Sequence, residues 1–551
     1  MVDKQIGLTK PNQIEEDCDG HRILTIATTI DEKNRSKNLL KDNGHQDNLY
    51  WIDDNHNHQH YQFSSTLNLS ENDFEKPKNL IERSSSLTIN LIVSIGIVFL
   101  TNSFVSGFNI GVLNTIEKIL VEFLQTSLPD FTRNYSTEII WSLTVSILII
   151  GAMLASIFAG HLANSVGRRS MLQLNIFIGL LAMMSIWLSF YLHNGSLFVF
   201  GRLIAGFHTG LASTIVPMYL MEISPKRIVS SLGTIHVLGL NSGIFVAQLL
   251  GLENFFGSRS LWPWLFIIQA LILTLGLMGQ NFLPESPKYL FILRNDEIKT
   301  VKSLQQLRCN HCEISEDLLS LRIQRKINQQ HQTQTNFWRL IRQKEFRQSL
   351  MIICALHAGQ QLIGINAIFY YSTGTFLNLG FDRSHSQYGT IGCSLINTIC
   401  ALLAAILLRK YRLRSMLLFS TVGTTISLAI LVITMTFNTL FPWLNLIIIL
   451  AIYGYVFFFA IGQGPIPFMI GSQLIDGPSL SIALGLGCFI NWFSNFLVAL
   501  TFPNLLLWIK QYVFVVFFVF DFCLLLFVWF LVPTTSISIS DRDSKNKINQ
   551  F

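Results

Sequence analysis

From Leu87 onward the chain is a succession of apolar stretches, each long enough to cross a bilayer. A hydrocarbon layer about 30 Å thick needs about 20 apolar residues in a helix. Stretches of that kind lie at about 88–113, 139–160, 171–192, 197–221, 229–252, 261–283, 348–373, 388–408, 415–437, 444–472, 480–503 and 511–532. Backbone polar groups in lipid must be satisfied within the segment, so each stretch is predicted to be a helix. The fold class is therefore an all-α membrane protein, with twelve transmembrane helices in two six-helix bundles. The polar stretch Pro284–Arg347 divides the two bundles. Half of the 551 residues are apolar and only 13% are charged, a balance that excludes an ordinary soluble enzyme. The formal charge of +6 does not indicate nucleic acid, because the cations lie mainly between apolar segments.

The predicted layout is a tail over 1–87, a bundle over 88–283, a helical linker over 284–347, a bundle over 348–533 and a short tail over 534–551. The first tail is rich in Asn, Asp, Gln, His, Lys and Ser, and is expected to be largely disordered and cytoplasmic. No cleavable signal is expected, since no apolar run follows Met1. Basic residues flanking the spans set orientation. One side carries Arg168, Arg169, Lys226, Arg227, the basic linker and Arg409, Lys410, Arg412 and Arg414. The other has Lys118, Arg133, Arg259, Arg383 and Lys510. The first side is expected to be cytoplasmic and to hold both termini of a plasma-membrane protein. Asn134-Tyr135-Ser136 is then a glycosylation sequon in a roomy outer loop. Cys309 and Cys312 flank His311 without a second ligand pair nearby, and the alternating His56, His58 and His60 lie in a polar tract. No metal or cofactor is expected.

The seventh stretch contains HAGQQLIGINAIFYYST, from His357 to Thr373. Amides in hydrocarbon are costly unless partnered, so Gln360, Gln361 and Asn366 must face protein or a watery cavity. Six residues separate Gln360 from Asn366, a little under two helical turns, so one face can present both. Neutral groups that both donate and accept suit an uncharged cargo crowded with hydroxyls, such as a sugar. The same amides could simply tie neighbouring helices together. The cluster as a whole favours a substrate site, with the amides lining a wet chamber.

The halves echo each other weakly: MEISPKRIVSSLG and SQLIDGPSLSIALG occupy corresponding positions, as do LPESP and LVPTT. With SGFNIGVLN, GHLANSVGRR, GRLIAGF, VPMYLMEISP, LPESPKYL, GQQLIGINAIFYYST, GQGPIP and NWFSNFLVALTFP, the chain resembles the sugar porters of the major facilitator superfamily. Within them it is most similar to the animal facilitative glucose transporters. The resemblance implies sugar contacts at Gln360, Gln361, Asn366, Asn397 and Asn491, with Trp492 as an aromatic wall. It implies an outer-gate pair, Tyr370 and Tyr371, and inner-gate charges at Glu222, Arg168 and Arg169. Gly462, Gly464, Pro465 and Pro467 match a flexible stretch of helix ten.

Departures from the pattern are specific. Val237 stands where relatives carry Gln, His357 begins the triplet that is Gln-Leu-Ser in glucose-selective members, and Phe468 replaces a Trp. These make His357 and Phe468 candidate substrate residues and leave fructose open beside glucose. Inner-gate charges of the second half are replaced by Ala460, Gln473 and Ser479, and the final PETKG reads Pro533-Thr534-Thr535-Ser536. The expected function is passive hexose transport by alternating access. Alternatives are a sugar-binding paralogue impaired in transport and a proton-coupled symporter. Asn109 cannot titrate where proton-coupled porters place an Asp, and Asp521 lies deep in helix twelve, away from the expected cavity. The implied partners are a sugar and the lipid bilayer, with no nucleic acid and no covalent chemistry.

Overall fold

A computed structural model describes residues 15–16, 22–23, 87–129, 133, 135–330, 344–369, 376, 382–437, 440–441, 443–475 and 479–533. Most of the first tail, the second tail, Asn134, Tyr370 and Tyr371 lie outside the described residues. Glu15–Glu16 and Arg22–Ile23 pair as two short antiparallel strands.

Twelve helices among the described residues are long and apolar enough to span a membrane. They are α1 Ile89–Ser127, α2 Ile139–Val166, α3 Arg168–Tyr191, α4 Gly195–Ile223, α5 Val229–Leu250 and α6 Trp264–Phe282. The second half has α7 Phe346–Phe369, α8 His385–Leu407, α9 Leu413–Phe437, α10 Leu444–Leu474, α11 Ser479–Leu506 and α12 Lys510–Leu531. Each predicted span finds its helix. α1 differs most, running to Ser127 instead of 113. Glu117, Lys118 and Glu122 end the apolar run, but none of them breaks a helix.

Between the halves, helices Glu297–Leu307 and His311–Gln330 occupy the linker. Asp296 caps the first, its side chain accepting from the Lys299 N–H at 3.0 Å.

Within the first half α4 packs on α2 and α3, and α1 packs on α5; within the second, α9 packs on α10 and α12, and α7 on α11. The halves meet along α2 with α11 and along α5 with α8. Lipid gives helices no hydrophobic reason to associate, so close packing must supply it. Small residues allow that closeness. A Cβ on Gly206 would stand 2.1 Å from the Leu148 carbonyl oxygen, and one on Gly160 2.1 Å from that of Ser481. The second contact joins the two halves at the end of the bundle that carries Arg168.

Candidate substrate site and closing contacts

Breaks in two helices build the site. α7 stays helical to Leu362, turns at Ile363 and Gly364, and resumes at Ile365. Gly364 has φ +89, a conformation that costs glycine nothing and side-chain-bearing residues much more. The Tyr455 hydroxyl of α10 donates to the Ile363 carbonyl at 2.9 Å. α10 itself breaks over 462–465. Proline at 467 has no N–H to return to the Gln463 carbonyl four residues earlier, so that oxygen needs an outside donor. Gln360 supplies it: its Nε2 donates to the Gln463 carbonyl at 2.8 Å and to that of Gly464 at 2.7 Å.

The remaining amides close a network around that contact. Asn491 Nδ2 donates to Gln360 Oε1 at 2.6 Å and to the His357 carbonyl at 3.1 Å. Gln361 Nε2 donates to Asn491 Oδ1 at 3.0 Å, and Asn366 Nδ2 to Gln361 Oε1. Four of the predicted sugar contacts, from α7 and α11, are thus one hydrogen-bonded unit. The expected wet chamber is corrected by this geometry: Gln360 and Gln361 are 4% and 8% exposed, and their amides satisfy one another. A cavity of ≈ 10 Å³ lies in the first half, lined by Asn114, Trp141, Arg202 and apolar neighbours, and none of its lining residues belongs to the amide unit.

The other predicted residues rim this unit. Phe468 packs edge-on against the His357 ring, 5.0 Å between centroids, and against His236 at 5.7 Å. It also clusters with Val237 and Cys488. The three departures from the family pattern, Val237, His357 and Phe468, therefore meet at one place. Asn397 is buried on α8, with its backbone carbonyl accepting from Asn241 at 3.3 Å and its Oδ1 without a partner among the described residues. Trp492 is also buried, and its Nε1 lacks a partner among the described residues. These two stand outside the hydrogen-bonded unit and hold orphaned polar atoms that a hydroxyl could satisfy.

At the basic end Arg168 is 3% exposed and grips Glu222 with two bonds, Nε to Oε2 at 2.8 Å and Nη2 to Oε1 at 2.9 Å. The paired geometry is the strong form of a guanidinium–carboxylate contact. Nη2 also reaches Ser481 Oγ of the second half at 3.3 Å. Beside it, the Arg169 backbone N–H donates to Glu285 Oε1 at 3.1 Å. Glu285 also accepts from the backbone N–H groups of Arg168 and Ser286, at 3.0 and 2.9 Å, and so caps α3. Burial pushes the Glu285 carboxyl above its ordinary range, while these donors and Arg168 pull it back down. Toward the other end, Asn114 of α1 donates to the Phe369 carbonyl of α7. Ser142 of α2 reaches the Ala499 carbonyl of α11 at 3.5 Å.

The sequence profile of the sugar (and other) transporter family matches residues 95–539. The chain belongs to that family. It is 34% identical over 461 residues to the dog (Canis lupus familiaris) solute carrier family 2, facilitated glucose transporter member 3, covering 82% of this chain and 91% of that one. It is 32% identical to chicken (Gallus gallus) member 1 over 461 residues, covering 83% and 93%. Among solved structures, the proton:xylose symporter XylE bound to 6-bromo-6-deoxy-D-glucose superposes with TM-score 0.70. The identity there is 21%, with 82% of this chain and 99% of that one covered. The inward-open xylose transporter XylE from E. coli gives 0.62 at 21% identity, covering 83% and 99%. Both share its fold.

For a sugar transporter of this family, several residues of the site were not singled out by sequence reasoning. Glu285 lay in view inside LPESPKYL. Ser481 carried no signal of its own, because its partner Arg168 comes from another helix; Gln463 showed in the sequence only as the departure in GQGPIP, without its partners. Arg308 is also buried, donating to the Ile223 and Ser224 carbonyls at 2.9 and 3.2 Å and to Asp317 at 2.9 Å. It closes the C-terminus of α4 with a residue of the linker.

Proposed function

We propose that this sugar transporter carries a hexose across the plasma membrane by facilitated uniport, with glucose the first substrate and fructose the second. The observation that carries the reading is the amide unit of Gln360, Gln361, Asn366 and Asn491. Its neutral donors and acceptors bond one another when closed, and sugar hydroxyls replace those bonds when the halves part. Asn397, Trp492, His357 and Phe468 complete the sugar site, and the tyrosine pair 370 and 371 closes it from outside. The basic end, with Arg168, Arg169 and Glu222, faces the cytoplasm together with both termini, which places Asn134 outside as a glycosylation acceptor. The curated relatives named above are glucose transporters, which supports the substrate class.

Asn109 supports uniport: it is buried, it cannot take up a proton, and its backbone carbonyl accepts from Arg202 at 2.9 Å. Weak binding suits the task, since a millimolar site holds its cargo by only about 4 kcal/mol and releases it readily. The chain performs no covalent chemistry. Counterflow in proteoliposomes with a panel of hexoses tests this reading, comparing wild type with Gln360→Ala. Wild type is expected to exchange hexose, and the variant to lose exchange at unchanged protein level.

One observation favours a second reading, a sugar-binding paralogue impaired in transport. Arg168 reaches the second half through the Ser481 hydroxyl, and Gln473 and Ser479 stand where relatives carry charges. Saturable hexose binding without counterflow would favour that reading.

A further inference from the structure

Asp521 sits midway along α12 and is fully buried. Its Oδ1 accepts from Gln463 Nε2 at 2.8 Å, and its Oδ2 accepts from the Thr425 hydroxyl of α9 at 3.0 Å. Gln463 lies in the break of α10, where its backbone has left the helical pattern. The Phe459 carbonyl, which a regular helix would pair with the Gln463 N–H, accepts instead from Gly464 at 2.9 Å. The Gln463 N–H therefore turns to Ser420 Oγ of α9, at 2.9 Å. Its carbonyl accepts from Gln360 of α7. Its side-chain Oε1 has no partner among the described residues, so the contact to Asp521 is what holds the amide in place. One residue is thus pinned from three helices, through its N–H, its carbonyl and its side chain.

We propose that Asp521 is a positioning residue for the substrate site, acting through Gln463. It anchors the α10 break to α12 and so sets where the Gln463 and Gly464 carbonyls stand. Those two oxygens orient the Gln360 amide, whose Oε1 then faces Asn491. A carboxylate suits the place because its oxygens accept from the Gln463 amide and from the Thr425 hydroxyl, whose single hydrogen is shared with the Thr421 carbonyl at 2.7 Å. An Asn in the same position would accept from Gln463 with Oδ1 and donate to Thr425 with Nδ2, since a hydroxyl can turn to accept. A Leu would leave the Gln463 amide with neither of its ends held. The effect on transport rests on the amide site being the hexose site; the anchoring of the break does not.

The test uses the full chain in proteoliposomes with Asp521→Asn, Asp521→Leu, Gln463→Leu and the double Leu variant. Two quantities are read: hexose KM and maximal rate by counterflow, and amide hydrogen exchange of Gly462, Gln463 and Gly464. Asp521→Leu is expected to raise KM about tenfold, as loss of an orienting hydrogen bond does. The maximal rate per protein should fall less. Exchange over 462–464 should quicken while exchange in α2 stays unchanged. Asp521→Asn is expected to stay within about twofold of wild type in KM, because both contacts can be rebuilt. The double variant should be no worse than Gln463→Leu alone, as for two residues acting through one contact.

The proposal is overturned if Asp521→Leu leaves both KM and exchange over 462–464 unchanged, or if its effect adds in full to that of Gln463→Leu. A fall in maximal rate alone, with KM and exchange as in wild type, also overturns it, since packing without positioning would do that. Should Asp521→Leu fail to fold, Gln463→Leu breaks the same contact and must show the same exchange. If wild type exchanges no hexose, the transport reading falls while the exchange comparison still decides the anchoring.

Discussion

The amides of α7 and α11 cannot be judged one at a time, because each satisfies another. Removing one leaves its partner buried with an unmet donor or acceptor, which costs about 1–3 kcal/mol. Asn491→Leu is therefore expected to weaken apparent hexose affinity at least about fivefold, measured as KM at matched surface abundance. Asn491 serves both Gln360 and Gln361, so it should be at least as damaging as Asn366→Ala. The rim makes a different prediction. Val237, His357 and Phe468 present less hydrogen-bonding capacity than the family pattern at the same positions. Restoring it with Val237→Gln should raise the ratio of glucose to fructose uptake by about two- to tenfold, the worth of one neutral hydrogen bond. Competition between the two labelled sugars reads that ratio, and an unchanged ratio would place Val237 outside the sugar's reach.

Elements differ in how plainly the residues announced them. The twelve spans were legible because bilayer thickness fixes their length and lipid forbids unsatisfied backbone. The α10 break was legible because prolines at 465 and 467 withhold donors. The α7 break was not: Gly364 alone marks it, and its carbonyl partner, Tyr455, comes from another helix. Nor was the link from Asp521 to Gln463, which joins residues 58 apart on two helices. Sequence grouped Gln360, Gln361, Asn366 and Asn491 and left open that they tie helices together; which amide bonds which was not legible, because the partners come from two helices. Among the described glycines, Gly160 makes the tightest approach between the halves. Its hydrogen stands where a Cβ would strike the Ser481 carbonyl. Gly160→Val should hold α2 and α11 apart at the basic end. Modification of a cysteine introduced at Ser481, by a thiol reagent applied from that side, should become faster by about tenfold if the closed form is disfavoured by 1.4 kcal/mol.

For the whole molecule, the contacts at the two ends describe a form closed around its own amides. The basic end is held by Arg168, Glu222 and Ser481, and the opposite end by Asn114 with Phe369. Breaking a buried ion pair from one side leaves an uncompensated charge and costs about 3–5 kcal/mol. Arg168→Ala should accordingly release the basic end and make zero-trans influx and efflux unequal, with surface labelling confirming that the protein is present. An alternating carrier needs such closures to be reversible and needs cargo to compete with the internal amide bonds. The measurement that tests this most directly is counterflow of labelled hexose through the purified wild-type chain, beside the chain with Gln361→Ala. Wild type is expected to show a transient overshoot of label inside vesicles preloaded with unlabelled hexose, and the variant to lose it. No overshoot from wild type, or an equal overshoot from the variant, would contradict this reading.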